Sequence, residues 1–124
     1  MRPSAASLAV REFHETFDIP KAHPSDIQSV AFRMRLISEE YREVLAAARE
    51  MPAGKEHFLK ELCDLAYVIY GTAEAFGWNL DEAIERIHLS NMSKLDAEGK
   101  PIHREDGKVM KGPNYKEPYL GDLV

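Results

Sequence analysis

Residues 26–50, DIQSVAFRMRLISEEYREVLAAARE, and residues 55–76, KEHFLKELCDLAYVIYGTAEAF, decide the fold. In the first stretch Ile27, Val30, Met34, Ile37, Tyr41, Val44 and Ala48 recur at steps of three and four, the period of a helix with one apolar face. In the second, Phe58, Leu62, Leu65, Ile69, Thr72 and Phe76 repeat the pattern. Pro52-Ala53-Gly54 interrupts the two, and Gly77 stands just past the second, where helices commonly end in a left-handed residue. One helix is therefore predicted from Ser25 or Asp26 to about Glu50, and another from about Lys55 to Phe76.

Outward from this pair, Leu8, Val10, Phe13 and Phe17 predict a first helix over roughly Ser4 to Phe17. Ile19-Pro20 and His23-Pro24 mark the connection, because residues before proline avoid the α region. On the other side, Asn79 reads as an N-cap with Glu82 three residues on, and Trp78 is placed to staple onto Ala83. The fourth helix is predicted to reach about Lys94. Beyond it Glu98-Gly99 and Asp106-Gly107 are turn signals, and Ile102-His103-Arg104 can pair with Lys108-Val109-Met110 as a short hairpin. The expectation is an all-α, antiparallel four-helix bundle forming a single domain over 1–124, with a helical core at about 4–94 and an irregular C-terminal arm at about 95–124.

A chain of 124 residues with 44% hydrophobic and 30% charged residues is an ordinary globular composition. The net charge of -5 speaks against a nucleic acid polymer or an acidic membrane surface as partner. The single cysteine, Cys63, excludes an intrachain disulfide and a cysteine-rich zinc site, and suits a cytoplasmic setting. No apolar run has the length of a membrane span, and the start Met1-Arg2-Pro3-Ser4 lacks the apolar segment of a signal peptide.

The chemistry is read from a second stripe on the two central helices. Leu36, Glu40, Glu43 and Ala47 share one face of helix two; Glu61, Asp64, Val68, Gly71 and Ala75 share one face of helix three. Taken singly, each glutamate reads as a solvated surface group. Together the acids sit mid-helix beside long apolar seams, without basic partners on the same stripe. Two carboxylates about 6 Å apart repel by roughly 3 kcal/mol at an effective dielectric near 20. Such a gathering calls for protons or cations, and Mg²⁺ suits it because it prefers oxygen ligands and binds phosphates alongside carboxylates.

The arrangement Glu39-Glu40-x-x-Glu43, then Glu61-x-x-Asp64, resembles the signature of the MazG-like nucleotide pyrophosphohydrolases. That superfamily also holds phosphoribosyl-ATP pyrophosphohydrolases and dimeric dUTPases. The run 64–71, DLAYVIYG, with Asn91-Met92-Ser93-Lys94 and the Asp106-Gly107-Lys108…Lys111-Gly112-Pro113 ending, is similar to phosphoribosyl-ATP-pyrophosphohydrolase-like members, so the resemblance covers about Phe13 to Tyr119. It implies metal ligands at Glu40, Glu43, Glu61 and Asp64, with Mg²⁺ or Mn²⁺ as the ion. Glu39, about 100° around the helix from Glu40, is expected to hold a second ion or to act as base toward water, with Glu40 as the other catalytic carboxylate. The reaction implied is hydrolysis of a nucleoside triphosphate between the α and β phosphates, giving a monophosphate and pyrophosphate. A role in cleansing the nucleotide pool is expected, on a deoxynucleotide rather than phosphoribosyl-ATP.

Leu80, Ile84, Ile87, Asn91 and Lys94 form a stripe on helix four that ends in an amide and an ammonium. With the resemblance, Asn91 and Lys94 become candidate phosphate contacts, and Lys108 and Lys111 join them by their place in the arm. Phe13, His14 and Phe17 are candidates to line a base pocket, or to be core. Apolar residues on more than one face of the central helices predict a homodimer or homotetramer, as the resemblance also does. Two rivals compete with an enzyme of this kind. A di-iron bundle needs two Glu-x-x-His motifs, and only Glu85-x-x-His88 is present. A non-catalytic helical module binding a nucleotide or a partner protein is the other.

Overall fold

The computed structural model describes residues 2–124. Among them are four α-helices, α1 (Ala5–Thr16), α2 (Ile27–Ala48), α3 (Lys55–Phe76) and α4 (Leu80–Met92), a 3₁₀ turn at Gly121–Leu123 and no strand. The protein is all-α, as its periodicity predicts. Among the described residues no helix is long and apolar enough to cross a membrane. The chain divides into two compact units, Arg2–Asn79 and Leu80–Val124.

In the first unit the helix ends follow local chemistry. Ser4 Oγ accepts from the Ser7 amide at 3.0 Å, and Asp26 caps α2 by accepting from the Gln28 amide and the Ser29 hydroxyl at 3.2 and 2.6 Å. Helix α3 ends in a Schellman motif. Gly77 takes φ 74°, its amide bonds Glu74 O, and the Trp78 amide bonds Ala73 O. The Trp78 ring rests against Phe76, with centroids 5.1 Å apart.

Helices α2 and α3 run antiparallel across the 49–54 turn, and α1 also packs on α3. The seam between them is not the one that simple periodicity favours. Ile27, Met34, Tyr41, Leu62 and Ile69, all on the long apolar stripes, are exposed, Ile27 to 81%. Buried instead are Arg33 and Ala47 on α2, and Glu61, Gly71, Ala73 and Ala75 on α3. Small residues explain the choice, because helices approach most closely where side chains are short. A Cβ on Gly71 would lie 2.5 Å from Arg33 Nη2 and 3.0 Å from His14 Nε2. Phe13 and Phe17, candidate core residues by spacing, are exposed and form an aromatic group with Tyr67, while Val10 and His14 are the residues that α1 buries.

In the second unit the arm is held against α4. Arg86 pairs with Glu82 and with both Asp122 oxygens, and donates to Tyr119 O. The Ser90 hydroxyl donates to Lys116 O at 2.7 Å, and the Lys116 amide returns a bond to Ser93 Oγ at 2.9 Å. The expected hairpin is present in reduced form, as one antiparallel bridge between His103 and Val109 around the Asp106-Gly107 turn.

Candidate metal centre

On α2, Glu40 and Glu43 stand one turn apart; on α3, Glu61 and Asp64 do the same. The antiparallel packing sets the two pairs face to face, and one oxygen from each of the four lies within 4.8 Å of all the others. The group grades from the interior outward. Glu61 is 4% exposed, Glu40 and Asp64 are half-buried, and Glu43 is at the surface. Two oxygens, Glu40 Oε2 and Glu61 Oε2, are buried with no hydrogen-bond partner. Burial and the charges of Glu43, Asp64 and Glu61 push the Glu40 carboxyl above the usual range.

An orphaned carboxylate oxygen in a protein interior is costly, and a cation satisfies it. An all-oxygen donor set suits a hard divalent ion rather than a soft one. The four carboxylates therefore fit a metal ion.

Glu39 is exposed, one position around α2 from Glu40, and is not part of the group of four. Asn91 lies exposed in the last turn of α4. Lys94 falls in the turn after Met92, so the helix does not carry it onto the Asn91 stripe. Lys108 and Lys111 are exposed in the arm, and the Lys111 ammonium sits 4.6 Å over the Tyr115 ring.

The acids do not lack basic partners, contrary to the reading by stripe. Lys60 Nζ lies 2.7 Å from Asp64 Oδ2 and 3.5 Å from Glu61 Oε1. His57 places Nε2 at 3.0 Å from Glu61 Oε1 and Nδ1 at 3.1 Å from Glu50 Oε2. The ring meets a carboxylate at each nitrogen, an arrangement that favours the doubly protonated imidazolium. The hydrogen bond to Glu50 is the main reason its pKa is raised. Both cations are spaced i,i+4 from their acids, a signal present in the sequence.

Arg33 is the other residue that periodicity missed. It lies on the Glu40 face of α2, two turns nearer the N-terminus, and is 6% exposed. Its Nε donates to Thr72 Oγ1 and its Nη2 to Val68 O, both at 3.1 Å, and it has no carboxylate partner among the described residues. His14, buried close by, has its pKa lowered by that burial and by Arg33.

A protein of Acanthamoeba polyphaga mimivirus, described only as uncharacterized, is 31% identical over 115 residues. The match takes in 83% of this chain, which spans 45% of the viral protein's length. Residues 10–91 match the sequence profile of the family described as phosphoribosyl-ATP pyrophosphohydrolase. That stretch contains α2, α3 and all four facing carboxylates, and with more than half of its length so matched the chain belongs to the phosphoribosyl-ATP pyrophosphohydrolase family.

Proposed function

We propose that this protein is a metal-dependent nucleoside triphosphate pyrophosphohydrolase that cleaves between the α and β phosphates of a deoxynucleotide. The single observation carrying the proposal is the set of Glu40, Glu43, Glu61 and Asp64, with two buried oxygens left unpartnered. These four residues hold Mg²⁺, with Mn²⁺ as a substitute. The ion, when bound, lowers the pKa of a water molecule and neutralises charge developing on the phosphates.

The chain's own residues do the remaining work. Glu40, with its raised proton affinity, and its exposed neighbour Glu39 are the candidates to take the proton from the attacking water. The resemblance in sequence supports Asn91, Lys94, Lys108 and Lys111 as further phosphate donors. The exposed ring faces of Phe13 and Phe17 offer a wall for the base. The protein works as a homodimer or homotetramer, since the large apolar residues on the outer faces of α2 and α3 need covering. Removal of unwanted nucleotides from a cytoplasmic pool is its role, in a compartment that keeps the exposed Cys63 thiol reduced.

The test is pyrophosphate release from a panel of nucleoside and deoxynucleoside triphosphates, in Mg²⁺, Mn²⁺ and EDTA, alongside Glu40→Gln. Release that needs metal and disappears in the variant is the expected result. Nucleotide binding without release, from every triphosphate and from phosphoribosyl-ATP, would replace the enzyme with a binding module.

A further inference from the structure

The four carboxylates are dressed with cations on one side only. Glu61 Oε1 meets both His57 and Lys60, and Asp64 Oδ2 meets Lys60. Glu61 Oε2 and Glu40 Oε2 are buried and bare. Glu61 is more than nine-tenths buried, so its bare oxygen, unlike an exposed acidic cluster, itself asks for a ligand.

The two cations differ in how firmly they are held. His57 is gripped from both sides by Glu50 and Glu61. Lys60 reaches the cluster from a side chain 62% exposed, on a flexible four-carbon stem, and shares an i,i+4 pair of a kind that is individually weak. Its ammonium lies 2.7 Å from an oxygen of a carboxylate that a metal ion needs. A divalent ion taken up at that oxygen would stand beside the ammonium, and the two positive charges repel.

We propose that Lys60 is an exchangeable cation of this centre: its ammonium and a divalent metal compete for Asp64, and the displaced ammonium then serves the phosphates of the substrate. The inference rests on the metal-centre reading above. Its second half follows from the stem. Lys60 stays anchored on α3, so the ammonium that leaves Asp64 remains within one side-chain length of the centre, where the oxygens of a polyphosphate need countercharge. In a chain of net charge -5, a cation already at the site is the economical source. Lys60 thus opposes metal in the absence of nucleotide and favours nucleotide once metal is bound.

The experiment uses the full chain stripped with EDTA, and Mn²⁺ alone as probe, followed by electron paramagnetic resonance and calorimetry. Wild type is compared with Lys60→Met, Lys60→Arg and, as a control for charge in general, Lys55→Met at the start of the same helix. Lys60→Met is expected to bind Mn²⁺ about three- to ten-fold tighter, and Lys55→Met less than about two-fold tighter. Under saturating metal, Lys60→Met is expected to raise the KM for a triphosphate about ten-fold with little change in kcat, and Lys60→Arg to restore most of it. Equal Mn²⁺ affinity in Lys60→Met and Lys55→Met overturns the exchange. An unchanged KM in Lys60→Met overturns the transfer to substrate. Absence of Mn²⁺ binding in wild type overturns the metal-centre reading itself, whereas Mn²⁺ binding without hydrolysis overturns only the catalytic one, and the affinity comparison still decides the exchange.

Discussion

Glu40→Gln separates the cost of the acidic cluster from its use. The substitution keeps the shape of the side chain and removes one of four charges whose oxygens lie within 4.8 Å of one another. At that spacing one pair of unit charges repels by about 3.5 kcal/mol at an effective dielectric of 20, and by about 0.9 kcal/mol in water. Glu40 faces three such neighbours, with Lys60 offsetting part of the repulsion. Solvent at the open side of the cluster screens much of the rest, so the net relief is far below the sum of the pairs. We expect Glu40→Gln to stabilise the metal-free protein by about 1–3 kcal/mol, which at this chain length raises Tm by about 3–10 °C. In millimolar Mg²⁺ the order reverses. Wild type gains stability through binding, by about 2.7 kcal/mol when the ion stands at a hundred times its Kd, and the variant gains little. Scanning calorimetry of both proteins in EDTA and in Mg²⁺ tests the crossing. A variant less stable than wild type in EDTA, or one that keeps the Mg²⁺ shift, refutes the idea that these carboxylates repel one another in order to share a cation.

Acidity acts on the same cluster. Burial and three carboxylates raise the Glu40 pKa above its ordinary 4.5, and the bond to Glu50 raises that of His57 above 6.5. Each group contributes stability fully below its ordinary pKa and loses it as pH rises through the raised one. Metal-free protein should therefore melt higher near pH 6 than near pH 8, and Mg²⁺ should flatten the dependence; a metal-free Tm that climbs with pH over this range contradicts it. Below about pH 4.5 stability should fall: although burial opposes it, Lys21 and Arg11 hold the Glu74 carboxyl below its usual range, so its contribution is lost as it protonates. Gly71→Ala puts a methyl 2.5 Å from Arg33 Nη2, and urea denaturation should report a loss of about 1–3 kcal/mol. Arg86→Leu removes the bidentate pair with Asp122 and the bond to Tyr119 O, so hydrogen exchange should quicken in residues 115–124 while α3 amides keep their protection.

The helices were legible because their signals are local. Ser4, Asp26 and Gly77 stand at helix ends in the structure, and α3 runs from Lys55 to Phe76 as its pattern requires. The gathering of the four acids was legible because two i,i+3 acid pairs on adjacent antiparallel helices have few ways not to meet. What periodicity could not supply was which of two stripes faces the neighbouring helix. The long apolar stripe through Ile27, Met34 and Tyr41 looks like a core by hydrophobicity, yet the seam runs through Arg33, Glu40, Ala47 and Gly71. That outcome depends on side-chain volume at the seam and on the pairing of Arg33 with α3 carbonyl and hydroxyl groups, neither of which a hydropathy period contains. Lys60 and His57 went unread for a different reason. Attention to the acid stripe alone hides cations one turn back along the same face.

The same inversion connects chemistry to assembly. A seam that holds Arg33, Glu40, Glu61 and Asp64 gives up volume that leucine and isoleucine would otherwise fill, and buried charge contributes little or costs stability unless fully paired. Leu45, Leu59, Leu62 and Ile69 lie on the outer faces of the same two helices, where water gains nothing from them. Covering such surface is worth about 25 cal/mol per Å², so the apolar contribution missing from the seam is available wherever those faces meet a second copy. On the proposed reading, assembly and metal binding thus address two halves of one problem. Association supplies the hydrophobic burial that a charged seam displaces, and the cation relieves the repulsion left inside it. Neither half substitutes for the other, because burial of Leu62 or Ile69 leaves the bare oxygen of Glu61 as it was. A helical pair that places its acids inward to hold a metal is for that reason a helical pair that turns its leucines outward.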